Sequence, residues 1–136
     1  MLSYILILQI LFIHWISDFV LQSSWMATNK SKNWFALASH ILVYTASMGF
    51  LMLLAGVIIA GISGSITGGA IMIITPMSFV KWIALNGALH FVTDAITSRI
   101  TSILWRKNDM HNFFVVVGFD QLIHYSCLII TLLMFI

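Results

Sequence analysis

Polar positions are sparse along this chain, and they part it into four long apolar stretches: residues 2–21, 34–60, 77–102 and 113–136. A helix needs roughly 20 mostly apolar residues to cross a bilayer core. A backbone cut off from water must also satisfy its own hydrogen bonds. Each stretch is therefore expected to be a transmembrane helix. The first is too long, and its polar residues are wrongly placed, for a cleaved signal peptide. Residues 22–33 are polar and hold Lys30 and Lys32, whereas 105–112 hold Arg106, Lys107 and Asp109. Residues 61–76 (GISGSITGGAIMIITP) carry no charge and read as a flexible outer loop or a re-entrant turn. Within them, Gly64 and Gly68 have the small-xxx-small spacing, discounted as a dimer motif because it falls in a loop.

The first and third connections share one side. With Arg99 they hold every basic residue except Lys81. The positive-inside rule places them in the cytoplasm and sends both termini outward. Trp25, Trp34 and Trp105 fall near that boundary, where aromatic belts form. The expectation is an all-α, four-helix membrane bundle forming a single domain, 1–136, with membrane lipids as partners.

Composition strengthens this reading. Only 7% of the 136 residues are charged, against about 25% in soluble domains, and mean hydropathy is +1.06. A net charge of +2, thinly scattered, excludes a nucleic-acid footprint. The lone Cys127 excludes an internal disulfide framework and a cysteine-based zinc ribbon. No Walker loop, dinucleotide fingerprint or nucleophile elbow is present. A bundle this small leaves room for a homo-oligomer.

The chemistry lies inside the apolar stretches. Three of the four aspartates pair with a histidine four residues away: His14/Asp18, His90/Asp94 and Asp120/His124. That spacing puts both side chains on one helix face. His40 adds a seventh group. At 1.5 Å per residue, Asp18 lies ~6 Å and His14 ~12 Å inside the cytoplasmic boundary, with Asp94 and His90 at ~8 and ~14 Å. The order reverses in the outward-running fourth stretch, so every aspartate is nearer the cytoplasm and every histidine deeper. One convergent site is expected, with a carboxylate rim and an imidazole floor. Gly87 and Gly118 sit beside the pairs and are expected to admit close helix approach.

Four imidazoles and three carboxylates suit a divalent transition metal, zinc first and manganese or iron next. Three buried aspartates also need positive charge, and Arg99 is the plausible non-metal partner. Lys30 and Lys32 are read as topology and lipid-contact residues, while Asp109 and His111 are read as solvated. Two other readings compete. A proton or divalent-metal pathway would use such a chain of groups, but no polar file continues into the outer half. A network of hydrogen-bonded Asp–His couples would serve a non-catalytic scaffold or holin-like factor, and tolerate apolar replacement.

The segments HWISDFVLQ, WMATNKSKN, HFVTD and FDQLIH resemble a family of small bacterial and phage membrane proteins known as domain of unknown function 3307. The resemblance implies a bacterial inner membrane as the location and implies that Asp18, Gln22, Lys30, His40, His90, Asp94, Asp120, Gln121 and His124 carry the family pattern, and it implies no activity. The leading expectation is a metal-dependent hydrolase of a lipid or lipid-linked substrate. His14, His40, His90, Asp94, Asp120 and His124 are its candidate ligands. Asp18 is the candidate general base or ligand orienter, and Gln22 and Gln121 are candidates for positioning substrate.

Overall fold

The computed structural model describes residues 4–64 and 74–136, and among these it is all helix and turn, without strands. Helix α1 (Tyr4–Trp15) runs without a break into a π-helical turn, Ile16–Val20. Then come a short α2 (Ser24–Asn29) and three long helices: α3 (Trp34–Ser63), α4 (Pro76–Arg106) and α5 (Met110–Leu133).

Local chemistry sets the helix ends. Ser23, Asn33, Thr75 and Asp109 each accept a hydrogen bond from a backbone N–H in the first turn that follows. Pro76 occupies the first turn of α4, where its missing N–H costs nothing. Gly64 closes α3 at φ +64°, a conformation other residues rarely adopt. The loop-or-re-entrant question over 61–76 falls largely on residues 65–73, outside the described residues, as does Gly68. Asp109 caps α5 through its carboxylate, and His111 is exposed in that helix's first turn.

The long helices bury one stripe each. On α3 it runs His40, Tyr44, Met48, Met52, and on α4 it runs Trp82, Asn86, His90, Asp94. Packed together, the stripes make two layers. One is apolar: Leu6, Ile10, Met48, Met52, Trp82, Leu128 and Leu132 pack against one another. The other, toward the α1–α2 and α4–α5 connections, holds the histidines and aspartates. Between them, Asn86 Nδ2 donates to Thr131 Oγ1 at 2.8 Å, and Trp82 Nε1 donates to the Leu128 carbonyl at 3.2 Å.

The outer surface is apolar. Leu8, Phe12, Leu42, Phe50, Ile96, Phe114 and Leu122 are all more than half exposed, while every histidine and aspartate of the three pairs except Asp120 is buried. This inverts the arrangement of a soluble protein. Among the described residues two helices, α3 and α5, qualify as membrane spans by length and apolarity, against the four expected. The apolar run Tyr4–Val20 is shorter, and the polar stripe of α4, with Lys81 and Arg99, lowers its hydropathy.

Close approach occurs at one of the two expected glycines. A Cβ on Gly87 would stand 2.6 Å from Thr45 Oγ1, so α3 and α4 meet where only hydrogen fits. Gly118 faces open space and brings no helix near, which corrects the expectation from its position.

Candidate metal centre

Each pair member is carried inward by its helix. His14 comes from α1, Asp18 from the π turn, His40 from α3, His90 and Asp94 from α4, and Asp120 and His124 from α5. The wide turn matters for Asp18. It closes with the Leu21 N–H donating to the Ile16 carbonyl at 2.9 Å, five residues back. Such turns recur at functional sites because they re-aim one side chain without ending the helix.

Four atoms converge. His40 Nε2 lies 3.1 Å from Asp18 Oδ1, 3.3 Å from Asp94 Oδ2 and 3.3 Å from His90 Nε2. His90 Nε2 is also 3.3 Å from Asp18 Oδ1. Ligands about 2.0–2.2 Å from a tetrahedral zinc stand about 3.3–3.5 Å apart, and an octahedral ion brings neighbours to about 3.0 Å. The observed spacings fall across those two geometries. Asp18 Oδ1 is buried beside two imidazole nitrogens, yet it accepts no well-directed hydrogen bond. Its surroundings suit a cation better than a donor. Asp18, His40, His90 and Asp94, all buried, could hold a metal ion.

His14 lies at the edge of this group. Its Nε2 is 3.6 Å from Asp18 Oδ2, and both ring nitrogens already have partners: Tyr44 Oη at 3.1 Å and Gln121 Oε1 at 3.2 Å. Gln121 Nε2 donates to Asp18 Oδ2 and to Asp120 Oδ2, each at 3.1 Å. Gln121 therefore ties α5 to the π turn. Gln22 Nε2 donates to the Asp18 carbonyl at 2.9 Å and lies 3.2 Å from His40 Nδ1. With that amide donating, the His40 proton sits on Nε2, within the group of four atoms.

Asp120 and His124 sit to one side. His124 Nε2 is 3.7 Å from Asp94 Oδ1, and its Nδ1 is 3.6 Å from Asp120 Oδ2. Thr97 Oγ1 donates to Asp120 Oδ1 at 2.6 Å. Thr97 was not singled out in the sequence, although it lies seven residues from His90 on the same face.

The cationic partner is Lys30, not Arg99. Lys30 Nζ reaches Asp94 Oδ2 at 2.7 Å and stands 3.5 Å from His40 Nε2. Arg99 hydrogen-bonds the Ala95 carbonyl and lays its guanidinium 4.3 Å above the Trp34 ring. The apolar distance from loop to stripe hid Lys30 from spacing arguments. The one signal was its place in the family pattern.

A cavity of about 510 Å³ opens over the cluster. Asp18, Asp94 and Asp120 line it together with Lys30, Lys32 and Arg106, while Phe19, Trp105 and Phe113 supply apolar wall.

A family model described as Protein of unknown function (DUF3307) matches residues 5–136. No curated protein and no solved structure matches the chain.

Proposed function

The chain belongs to the DUF3307 family, and from its site we propose an integral membrane, metal-dependent hydrolase of a lipid or lipid-linked substrate. The observation that carries this is the group of four facing atoms on Asp18, His40, His90 and Asp94, spaced as ligands of one ion and buried. The two-nitrogen, two-oxygen donor set suits zinc, with manganese or iron next.

The apolar exterior supports a bilayer as the surrounding solvent. In this reading α1, with its π turn, and α4 also cross, their polar stripes hidden inside the bundle. The cavity and its basic residues face the cytoplasm, and both termini face outward. An amphiphile suits that cavity, because its charged head would meet Lys30, Lys32 and Arg106 while its chain lies along Phe19 and Phe113.

The reaction adds water across an ester or phosphoester bond and yields an acid and an alcohol. A bound ion would supply water activation and polarise the scissile group. The protein's own residues prepare that position. Asp18 and Asp94 take ligand positions here, and Gln121 fixes Asp18 by donating to its second oxygen. His14 steadies Gln121 and Tyr44. Gln22 orients His40. Conduction is disfavoured because the apolar layer of Leu6, Met48, Trp82 and Leu128 lies beyond the cluster.

Elemental analysis of detergent-purified protein tests the reading. A stoichiometric transition metal is expected in the wild type and not in Asp94→Ala or His90→Ala. Lipid turnover should be lost in the same variants. Absence of bound metal after reconstitution with zinc, manganese and iron would overturn the proposal.

A further inference from the structure

His90 and His124 come from different helices, yet their rings lie 3.9 Å apart between centroids and 7° from parallel. Both turn Nε2 toward the same oxygen, Asp94 Oδ1, at 3.6 and 3.7 Å. The other oxygen of that carboxylate, Oδ2, faces His40. Asp94 thus stands with one oxygen on each side of the junction between the group of four and His124.

His124 is otherwise unexplained. Both of its ring nitrogens are buried and neither has a hydrogen-bond partner. An imidazole in that state carries a desolvation cost that no hydrogen bond offsets. Asp120 stands 3.6 Å from its Nδ1, and Asp94, Asp120 and His124 can each turn one ligand atom within 4.8 Å of the others. Asp120 also lines the cavity, so this corner is reachable from it.

Resting on the metal reading above, we infer that the site is dinuclear. One divalent ion occupies the group of Asp18, His40, His90 and Asp94. A second is held by Asp94, Asp120 and His124, with the Asp94 carboxylate bridging the two. The ring stack fits this arrangement. Two-metal hydrolytic centres hold their ions about 3.5–4 Å apart, the same scale as the spacing of the parallel imidazoles that would each serve one ion. A second triad, His14, Asp18 and His124, is also close enough to be considered. It is less suited, because both nitrogens of His14 are engaged by Tyr44 and Gln121.

Charge makes a further point. Three carboxylates and Lys30 leave two negative charges, which one divalent ion balances. A second ion makes the centre cationic and ready for an anion such as a phosphoester. The second position is therefore the weaker in the absence of substrate.

Titration of the full-length, detergent-solubilised, metal-free chain with Mn²⁺ tests this. Bound metal is counted, and electron paramagnetic resonance detects spin coupling. Two ions per chain with an exchange-coupled spectrum are expected. One ion, with an uncoupled spectrum, is expected for His124→Gln and for the near-isosteric Asp120→Asn, each checked for monodisperse elution. A wild-type count of one overturns the dinuclear inference and leaves the mononuclear reading standing. A count of zero overturns both. Loss of the second ion in His14→Gln but not in Asp120→Asn overturns the assignment of ligands made here.

Discussion

Lys30 Nζ lies 2.7 Å from Asp94 Oδ2, a contact that reaches from the α2 C-terminus into the bundle across 64 residues. The ammonium holds the carboxylate that the metal reading also requires. Two unit positive charges 4 Å apart repel by about 4 kcal/mol at an effective dielectric of 20. Lysine and metal are therefore competitors for one oxygen. Removing the lysine charge should tighten metal binding and loosen the metal-free protein.

Lys30→Met is expected to raise Mn²⁺ affinity by about tenfold or more, and to lower the melting temperature of the metal-free form. Chelator competition and thermal denaturation with and without metal measure the two effects. An unchanged affinity would show that Lys30 and the ion do not share Asp94.

Gln22 presents an amide N–H to His40 Nδ1, which leaves the imidazole proton on the edge that faces the carboxylates. A neutral imidazole ligates through an unprotonated nitrogen, so metal uptake requires the His40 proton to move to Nδ1 and the Gln22 side chain to turn its amide oxygen toward it. Nitrogen NMR of labelled histidine with and without zinc will show the change of tautomer. A carboxylate behind Nδ1 would stabilise the metal-ready tautomer, so Gln22→Glu should bind metal about tenfold more tightly.

At Gly87 an added methyl would collide with Thr45, whose β-branched side chain has little rotational freedom. Gly87→Ala should therefore push α3 from α4 and destabilise the fold by about 1–3 kcal/mol. Because His40 and His90 lie on those two helices, metal content should fall with it. Gly118→Ala meets open space and should alter neither.

Asp109 caps α5 by accepting from the Asn112 backbone N–H at 3.2 Å and from its side-chain amide at 2.7 Å. The Asn112 bonds hold its carboxyl below the ordinary aspartate range. A depressed pKa contributes stability that is present above the ordinary value and lost as pH falls through the lowered one. Protection factors for hydrogen exchange at the start of α5, corrected for the intrinsic rate, should therefore fall on acidification below about pH 4. In Asp109→Ala they should be low already at neutral pH.

The positions of the long helices and the convergence of the pairs were legible because spacing in a helix is geometry. His90 and Asp94 share a face whatever surrounds them. Proximity between helices was not legible in the same way. Nothing in the local sequence says that Lys30 rather than Arg99 turns inward, since that depends on how α2 folds back over α3. Nor does spacing separate His14 from His40. Both lie on inward faces, but Tyr44 and Gln121 occupy the first while the carboxylates surround the second. The four expected spans reduce to two on apolarity for a related reason. A helix that hides a polar stripe has lower average hydropathy, and an average takes no account of which way a side chain faces.

The π turn at Ile16–Val20 separates two demands that a plain helix would couple. Rotation advances by about 100° per residue in an α-helix, so the direction of Asp18 would ordinarily follow from the faces of every residue before it. An extra residue in one turn acts as a phase adjuster. The upstream surface of α1 can drift through changes of Leu8 or Phe12 to match its surroundings. Asp18 can be trimmed independently by the turn that carries it. The same uncoupling makes the segment intolerant of length change: removing one residue there would restore the α-helical phase and carry Asp18 about a quarter of a turn away from its histidines.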